Sequence, residues 1–233
     1  MLSDNVLFID AEAIVVDKPA GLPVDEPREG VTSVANHLES LRFTFQRWPT
    51  IVHRLDRDTS GCLLLARTPR AHKQFQAAFE AGIVRKRYLA VLDGVPGGDE
   101  GVIDLPLAKV STQEDGWRMV VDARKGRGKA ATTHWRTIAV QGGRALVLFT
   151  PQTGRTHQLR VHAATGLGVP IVGDPVYGRR GPKMLLHAWT LTVPRGAKPA
   201  VTAVSPLPAA FAGWTAPDVP SDTVHGAAGH AAA

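Results

Sequence analysis

Five ionisable groups within six residues, set between two apolar strands, constrain this chain more than any other feature. His53, Arg54, Asp56, Arg57 and Asp58 stand between Ile51-Val52 and the apolar run from Cys62 to Ala66. Thr59-Ser60-Gly61 supplies turn residues ahead of that run. Leu63-Leu64-Leu65 shows no polar alternation, so the second strand is expected to be buried. A turn that only reverses the chain needs few charges. A carboxylate flanked by guanidinium groups stays ionised at neutral pH, because opposite charge favours the charged form. Such a group suits a nucleophile or an electrostatic anchor.

Short strands surround this segment. Val6–Ile9 and Ala13–Val16 flank an Asp10-Ala11-Glu12 turn, and Asp17 to Pro23 then breaks the pattern with two prolines and a glycine. Thr32 to Phe45 has helical spacing (Val34, Leu38, Leu41, Phe45) with Thr32 or Ser33 as N-cap. A second helix runs from Pro69 to about Ala81, capped by Thr68 and stopped by Gly82. Ile83 to Leu92 alternates as a strand that places Val84, Lys86, Tyr88, Ala90 and Leu92 on one face. Tyr88 is then either a half-buried strand aromatic or a group that meets a ligand. Val102 to Val110 reads as a strand around Pro106, and Trp117 to Val121 as another. Thr132 to Val140 and Arg144 to Thr150 form an antiparallel pair through Gly142-Gly143.

Two more polar clusters stand out. The glycine-rich segment from Asp122 to Ala131 carries Arg124, Lys125, Arg127 and Lys129. It is either a solvated loop or a contact to phosphates, which add affinity without sequence information. Thr150 to His162 holds Arg155, His157, Arg160 and His162. Thr156 to Thr165 has helical character closed by Gly166, with His157, Arg160, Val161 and Ala164 on one face. His157 and His162 stand five apart, which is not a metal-binding spacing on a helix, so a zinc site is rejected.

The 233 residues suffice for one large domain or two small ones. A net charge of +6 permits nucleic-acid binding without demanding it. The single cysteine, Cys62, excludes an internal disulfide and reads as a small buried hydrophobe. No apolar run approaches the length of a membrane span, the N-terminus lacks a secretory pattern, and a cytoplasmic location is expected. Pro217 to Ala233 has no periodicity and is expected to be disordered.

H-R-L-D-R-D-T-S-G-C-L-L-L-A resembles the signature of the RluA family of pseudouridine synthases. K-P-A-G-L-P-V at Lys18, K-x-Y-L-A-x-x-x-G at Lys86 and T-G-R-T-H-Q-L-R-V-H at Thr153 are similar to further family motifs in the same order. G-D-x-x-Y-G at Gly173 and L-H-A-x-x-L at Leu186 continue the resemblance. It implies an α+β fold: a mixed, mostly antiparallel bent β-sheet with flanking helices. The catalytic domain is expected over residues 1–215, followed by a disordered tail over 216–233, and no N-terminal accessory RNA-binding domain is expected. The implied reaction is isomerisation of specific uridines in structured ribosomal or transfer RNA, by a monomer that needs no cofactor, metal or membrane. Asp56 matches the catalytic residue, Tyr88 the tyrosine that lies against the target base, and Arg160 the arginine paired with the catalytic carboxylate. Arg155 competes with Arg160 for that pairing and otherwise binds phosphate or supports its loop. Arg54 matches a residue that fills the space left by a flipped base. Arg155, His157, Arg124, Lys125, Arg127 and Lys129 complete the RNA-binding set. The carboxylate could attack the sugar C1′, attack uracil C6 or remove a sugar proton, and the residues do not choose among these.

Overall fold

The computed structural model describes residues 2–26, 30–112, 116–219 and 221. Of the tail expected to be disordered, 220 and 222–233 lie outside the described residues. The described residues fall into two compact units, one within 1–86, 188–208 and 216–233, the other within 87–187 and 209–215.

The first unit is built on β1 (Val6–Ile9), β2 (Ala13–Lys18), β3 (Thr50–Ile51), β4 (Ser60–Ala66), β11 (Leu186–Arg195, from Ala188 on) and β12 (Lys198–Val204). Strand order is β1-β2-β4-β11, with β3 against β4 and β12 against β11. The pairings β1 to β2, β2 to β4, β3 to β4 and β11 to β12 are all antiparallel. All of β4 is buried, as its unbroken apolar run requires. Helix α1 (Pro69–Glu80) begins where Thr68 Oγ1 accepts the Ala71 N–H at 3.1 Å and ends before Gly82 at φ +69°. It lays Ala71, Phe75 and Ala78 against Ala13, Val15, Leu64, Leu191 and Val201. Phe75 is fully enclosed, a burial that contributes about 1.5–3 kcal/mol.

The helix expected over Thr32 to Phe45 does not form. Only Val34–His37 makes a short 3-10 turn. The Ser33 N–H and hydroxyl both donate to Asn36 Oδ1 (2.7 and 2.8 Å), a local closure that competes with helix propagation. Phe43 then takes φ +51°, which no helix admits. Val34 and Leu41 are still buried, so the apolar spacing reported burial without helical structure.

The second unit contains β5 (Arg85–Leu92, from Arg87 on), β10 (Arg144–Pro151), β9 (Thr132–Gln141) and β6 (Glu100–Asp104) in that order, antiparallel throughout. Gly142 and Gly143 turn β9 into β10 at φ +57° and +71°, as a two-residue hairpin loop requires. The strand expected over Val102 to Val110 is two, β6 and β7 (Leu107–Thr112), because the chain leaves the sheet at Leu105-Pro106. β7 pairs with β8 (Gly116–Val121) as a separate hairpin. Residues 158–166 are helical as expected, in two short pieces: α2 (Gln158–Val161) and a wider turn, His162–Gly166, closed by the Leu167 N–H on the His162 carbonyl at 3.0 Å. His157 precedes the helix at φ +51° and does not share its face, which corrects the expected alignment with Arg160. One core of this unit joins Ala90, Leu92, Val147, Phe149, Leu159 and Ile171.

Candidate active site

In the first unit the polar turn hangs between β3 and β4 and is fastened at both ends and beneath. At its start, His53 stacks on Phe79 with ring centres 4.7 Å apart, and its Nε2 accepts the Leu64 N–H at 3.0 Å. Burial, with the Lys86 ammonium adding to it, lowers the imidazole pKa to about 3, so the ring is neutral and structural. At its end, Gly61 takes φ +107°, and a Cβ there would lie 2.2 Å from the Ala188 carbonyl oxygen. Beneath it, the wholly buried Lys18 donates from Nζ to the carbonyls of Pro19 (2.9 Å), Leu22 (2.8 Å) and Arg57 (3.0 Å). The Gly21 N–H reaches the same Arg57 carbonyl at 2.9 Å, so the Pro-Gly loop wraps the turn. Burial lowers the Lys18 pKa to about 8, while Asp58 and then Asp56 pull it back up. The arrangement therefore places a buried cation within the field of both carboxylates.

Asp56 is half-buried, and its carbonyl closes a tight turn by accepting the Thr59 N–H at 3.1 Å. Leu55 faces the interior. The exposed Arg54 pairs with Asp25 at 2.9 Å rather than with Asp56 or Asp58 among its described contacts. An exposed pair of this kind contributes about 0–1 kcal/mol, little enough to yield to a ligand. Cys62 is buried against the Trp189 carbonyl and burial raises its thiol pKa, as expected of an inert hydrophobe.

Tyr88, Arg155, His157, Arg160 and the basic loop belong to the second unit. Tyr88 is half-buried beside Ala90 and Leu92, opposite Phe149 on β10. The helical turn that carries Arg160 is held by Gln158. Its Oε1 accepts from the Thr153 hydroxyl (2.8 Å) and the Arg155 N–H (2.9 Å), and its Nε2 donates to Thr132 O (3.1 Å) and Thr133 Oγ1 (2.9 Å). Arg160 is itself buried and forks onto Asp174, from Nε at 2.7 Å and from Nη2 at 2.8 Å. Asp174 also accepts the N–H groups of Val176 (2.8 Å) and Tyr177 (3.1 Å). Burial pushes this carboxyl up, but Arg160 and the two N–H groups hold it below the usual range. Arg155 is exposed and donates to the Ala130 carbonyl at 3.0 Å, which fits loop support.

In the basic loop Arg124, Lys125, Arg127 and Lys129 are all exposed. Arg124 is tied to Asp122 through Nε (2.8 Å) and Nη2 (2.6 Å), which separates it from the other three. Lys18, Gln158, Asp174 and Tyr177 carry site structure to which the sequence alone assigns no role, although all four lie inside the motifs quoted above. Among the described residues no group of three or more His, Cys, Asp or Glu is placed to hold a metal, and no helix is long and apolar enough to cross a membrane.

Residues 12–165 match the family described as RNA pseudouridylate synthase. The chain is 58% identical over 215 residues to "Uncharacterized RNA pseudouridine synthase ZMO0505" of Zymomonas mobilis, covering 91% of this chain and 97% of that protein. It is 39% identical over 185 residues to "Ribosomal large subunit pseudouridine synthase D" of the same organism, covering 75% of this chain and 56% of that one. The solved structure of "Human RNA Pseudouridylate Synthase Domain Containing 4" superposes with a TM-score of 0.76 at 29% identity, over 90% of this chain and 91% of that one. The fastened turn around Asp56, motifs in family order and near-full-length similarity agree, and the chain belongs to the RluA family of RNA pseudouridine synthases.

Proposed function

We propose that the chain isomerises specific uridines in structured ribosomal or transfer RNA, with the Asp56 carboxylate as the group that performs the chemistry. The observation that carries this is the mounting of Asp56: half-buried, on a closed turn, above the buried Lys18 ammonium. The N1–C1′ bond breaks, uracil turns over and C5 bonds to C1′; the C5 proton then leaves to solvent and N1 takes up a proton. That rearrangement is redox-neutral, so no redox cofactor has to take part. The target base is taken out of its stack at a cost of a few kcal/mol. Arg54, exposed and weakly paired, fills the vacated space, since its flat guanidinium suits both stacking and phosphate pairing.

Tyr88 and Arg160 enter this reading as the tyrosine and the arginine that the family resemblance assigns to the reaction. Two of the five N–H groups of Arg160 are committed to Asp174, which fixes the plane of the guanidinium. Lys125, Arg127 and Lys129 of the basic loop contact the RNA backbone, while Arg155 and His157 support the loops that carry the RNA-facing groups. The similarity to a ribosomal large subunit pseudouridine synthase favours large-subunit ribosomal RNA as the substrate. Pseudouridine mapping of total RNA from a deletion strain tests the reading. At least one uridine of ribosomal or transfer RNA loses its modification and regains it on complementation; an unchanged map contradicts the assignment.

A further inference from the structure

We propose that Trp117 is a stacking platform for an unpaired nucleobase of the bound RNA, separate from the target uridine. The proposal rests on the reading that this chain acts on RNA. Its starting point is an anomaly of exposure. Paired residues of an antiparallel hairpin lie on the same face, so Leu107 with Val121, Lys109 with Met119 and Ser111 with Trp117 point one way. Leu107 and Met119 on that face are buried in a small core with Val161 and Tyr177. Trp117 continues the row past the edge of the core and stays 46% exposed. Burial of the hairpin does not account for a large aromatic in that position.

The ring is nevertheless held from below. His157 lies 5.0 Å from it between ring centres, tilted by 33°. His157 meets Tyr177 edge-on at 5.6 Å, and its Nδ1 is 2.9 Å from the Tyr177 hydroxyl, which also accepts the Met119 N–H at 2.9 Å. The hydrogen bonds thus tie His157 and the hairpin strand to one tyrosine. His157 adopts a left-handed backbone, φ +51°, a conformation that costs energy in a non-glycine residue. An indole on a fixed support, rather than on a free loop, is what a stacking site needs, because little is then spent on ordering it.

Lys109 Nζ lies 4.8 Å from the Trp117 ring centre. An exposed contact of that kind contributes about 2- to 5-fold in an equilibrium. Stacking of one base on an aromatic contributes about 5- to 150-fold. A base therefore displaces the lysine, whose released ammonium pairs with the phosphate of the stacked nucleotide. The base of the hairpin is also joined to the basic loop: Leu107 N–H reaches the Lys129 carbonyl at 2.9 Å, and Lys129 N–H the Leu107 carbonyl at 2.8 Å. Lys125, Arg127 and Lys129 thus provide phosphate contacts in the same unit as the platform. Tyr88, assigned to the target uracil, packs in a different core, so the two aromatics serve different bases.

The test compares Trp117→Leu with Trp117→Phe in the full chain, since both keep apolar bulk on His157 and only Phe keeps a ring. Each is titrated by fluorescence anisotropy with labelled decauridylate and with an abasic ribose-phosphate oligomer of the same length. Trp117→Leu should lose about 5- to 150-fold on decauridylate and less than about 2-fold on the abasic oligomer. Trp117→Phe should stay within about 3-fold of wild type on both. Leu and Phe variants that behave alike on decauridylate, or a Leu variant that loses equally on both oligomers, overturn the proposal. The same wild-type preparation is assayed for pseudouridine formation on deletion-strain RNA. Failure there removes the functional reading and leaves the oligomer comparison to be judged by itself.

Discussion

His53 shows how little a residue's type says about its task. In the sequence it is one of four charged or chargeable groups around Asp56. In the structure it is a neutral strut, accepting the Leu64 N–H and stacked on Phe79. The folded ring has a pKa of about 3, against about 6.5 in an unfolded chain. The unfolded state therefore takes up a proton as pH falls through 6.5 while the folded state does not, so stability is full above pH 6.5 and is lost toward pH 3. Wild type should lose at most about 2 kcal/mol more between pH 7 and 5 than His53→Gln, which keeps an acceptor but does not titrate. Urea unfolding of both proteins at the two pH values checks this, and parallel pH dependences would refute it. Lys18 and Asp174 were equally illegible as site residues. A lysine before proline announces a loop, and only the fold reveals that its ammonium binds three carbonyls under the turn. Asp174 acquires meaning only because Arg160, fourteen positions earlier, folds onto it.

At the scale of elements, local signals were read well and non-local ones poorly. Helix α1 was legible because its cap, its apolar stripe and its glycine stop all lie within its own residues. The hairpin of β9 and β10 was legible for the same reason, its two glycines being the turn. Thr32 to Phe45 was not, since its apolar positions meet burial through irregular turns and the side chains of Ser33 and Asn36 close the backbone early. The end of the polar turn around Asp56 combines both kinds of signal. Gly61 was readable as a turn residue, but the approach of the Ala188 carbonyl is a property of the assembled sheet. Gly61→Ala should therefore cost at least about 2 kcal/mol, from positive φ and from the clash together. A urea midpoint equal to that of wild type would show that β4 shifts to make room at no cost.

For the whole molecule, the family motifs carried the reading, because each is a short contiguous stretch whose chemistry is visible in residue types. Fold class and activity follow from them, and near-full-length relatives agree. A net charge of +6 is consistent with an RNA substrate but did not identify one. What the motifs could not supply was the support: how Gln158 pins the Arg160 turn to β9, or how a hairpin outside every motif presents Trp117. The central claim is that the Asp56 carboxylate performs the isomerisation while the rest of the turn holds it in place. Asp56→Asn keeps the shape of the side chain and removes its charge. Purified variant protein is assayed for tritium release from uridine-labelled RNA of the deletion strain, with RNA affinity measured alongside. The account predicts no detectable turnover and an affinity within about tenfold of wild type, roughly 1.4 kcal/mol. Measurable pseudouridine formation by the folded variant, or failure of the variant to fold, would contradict it.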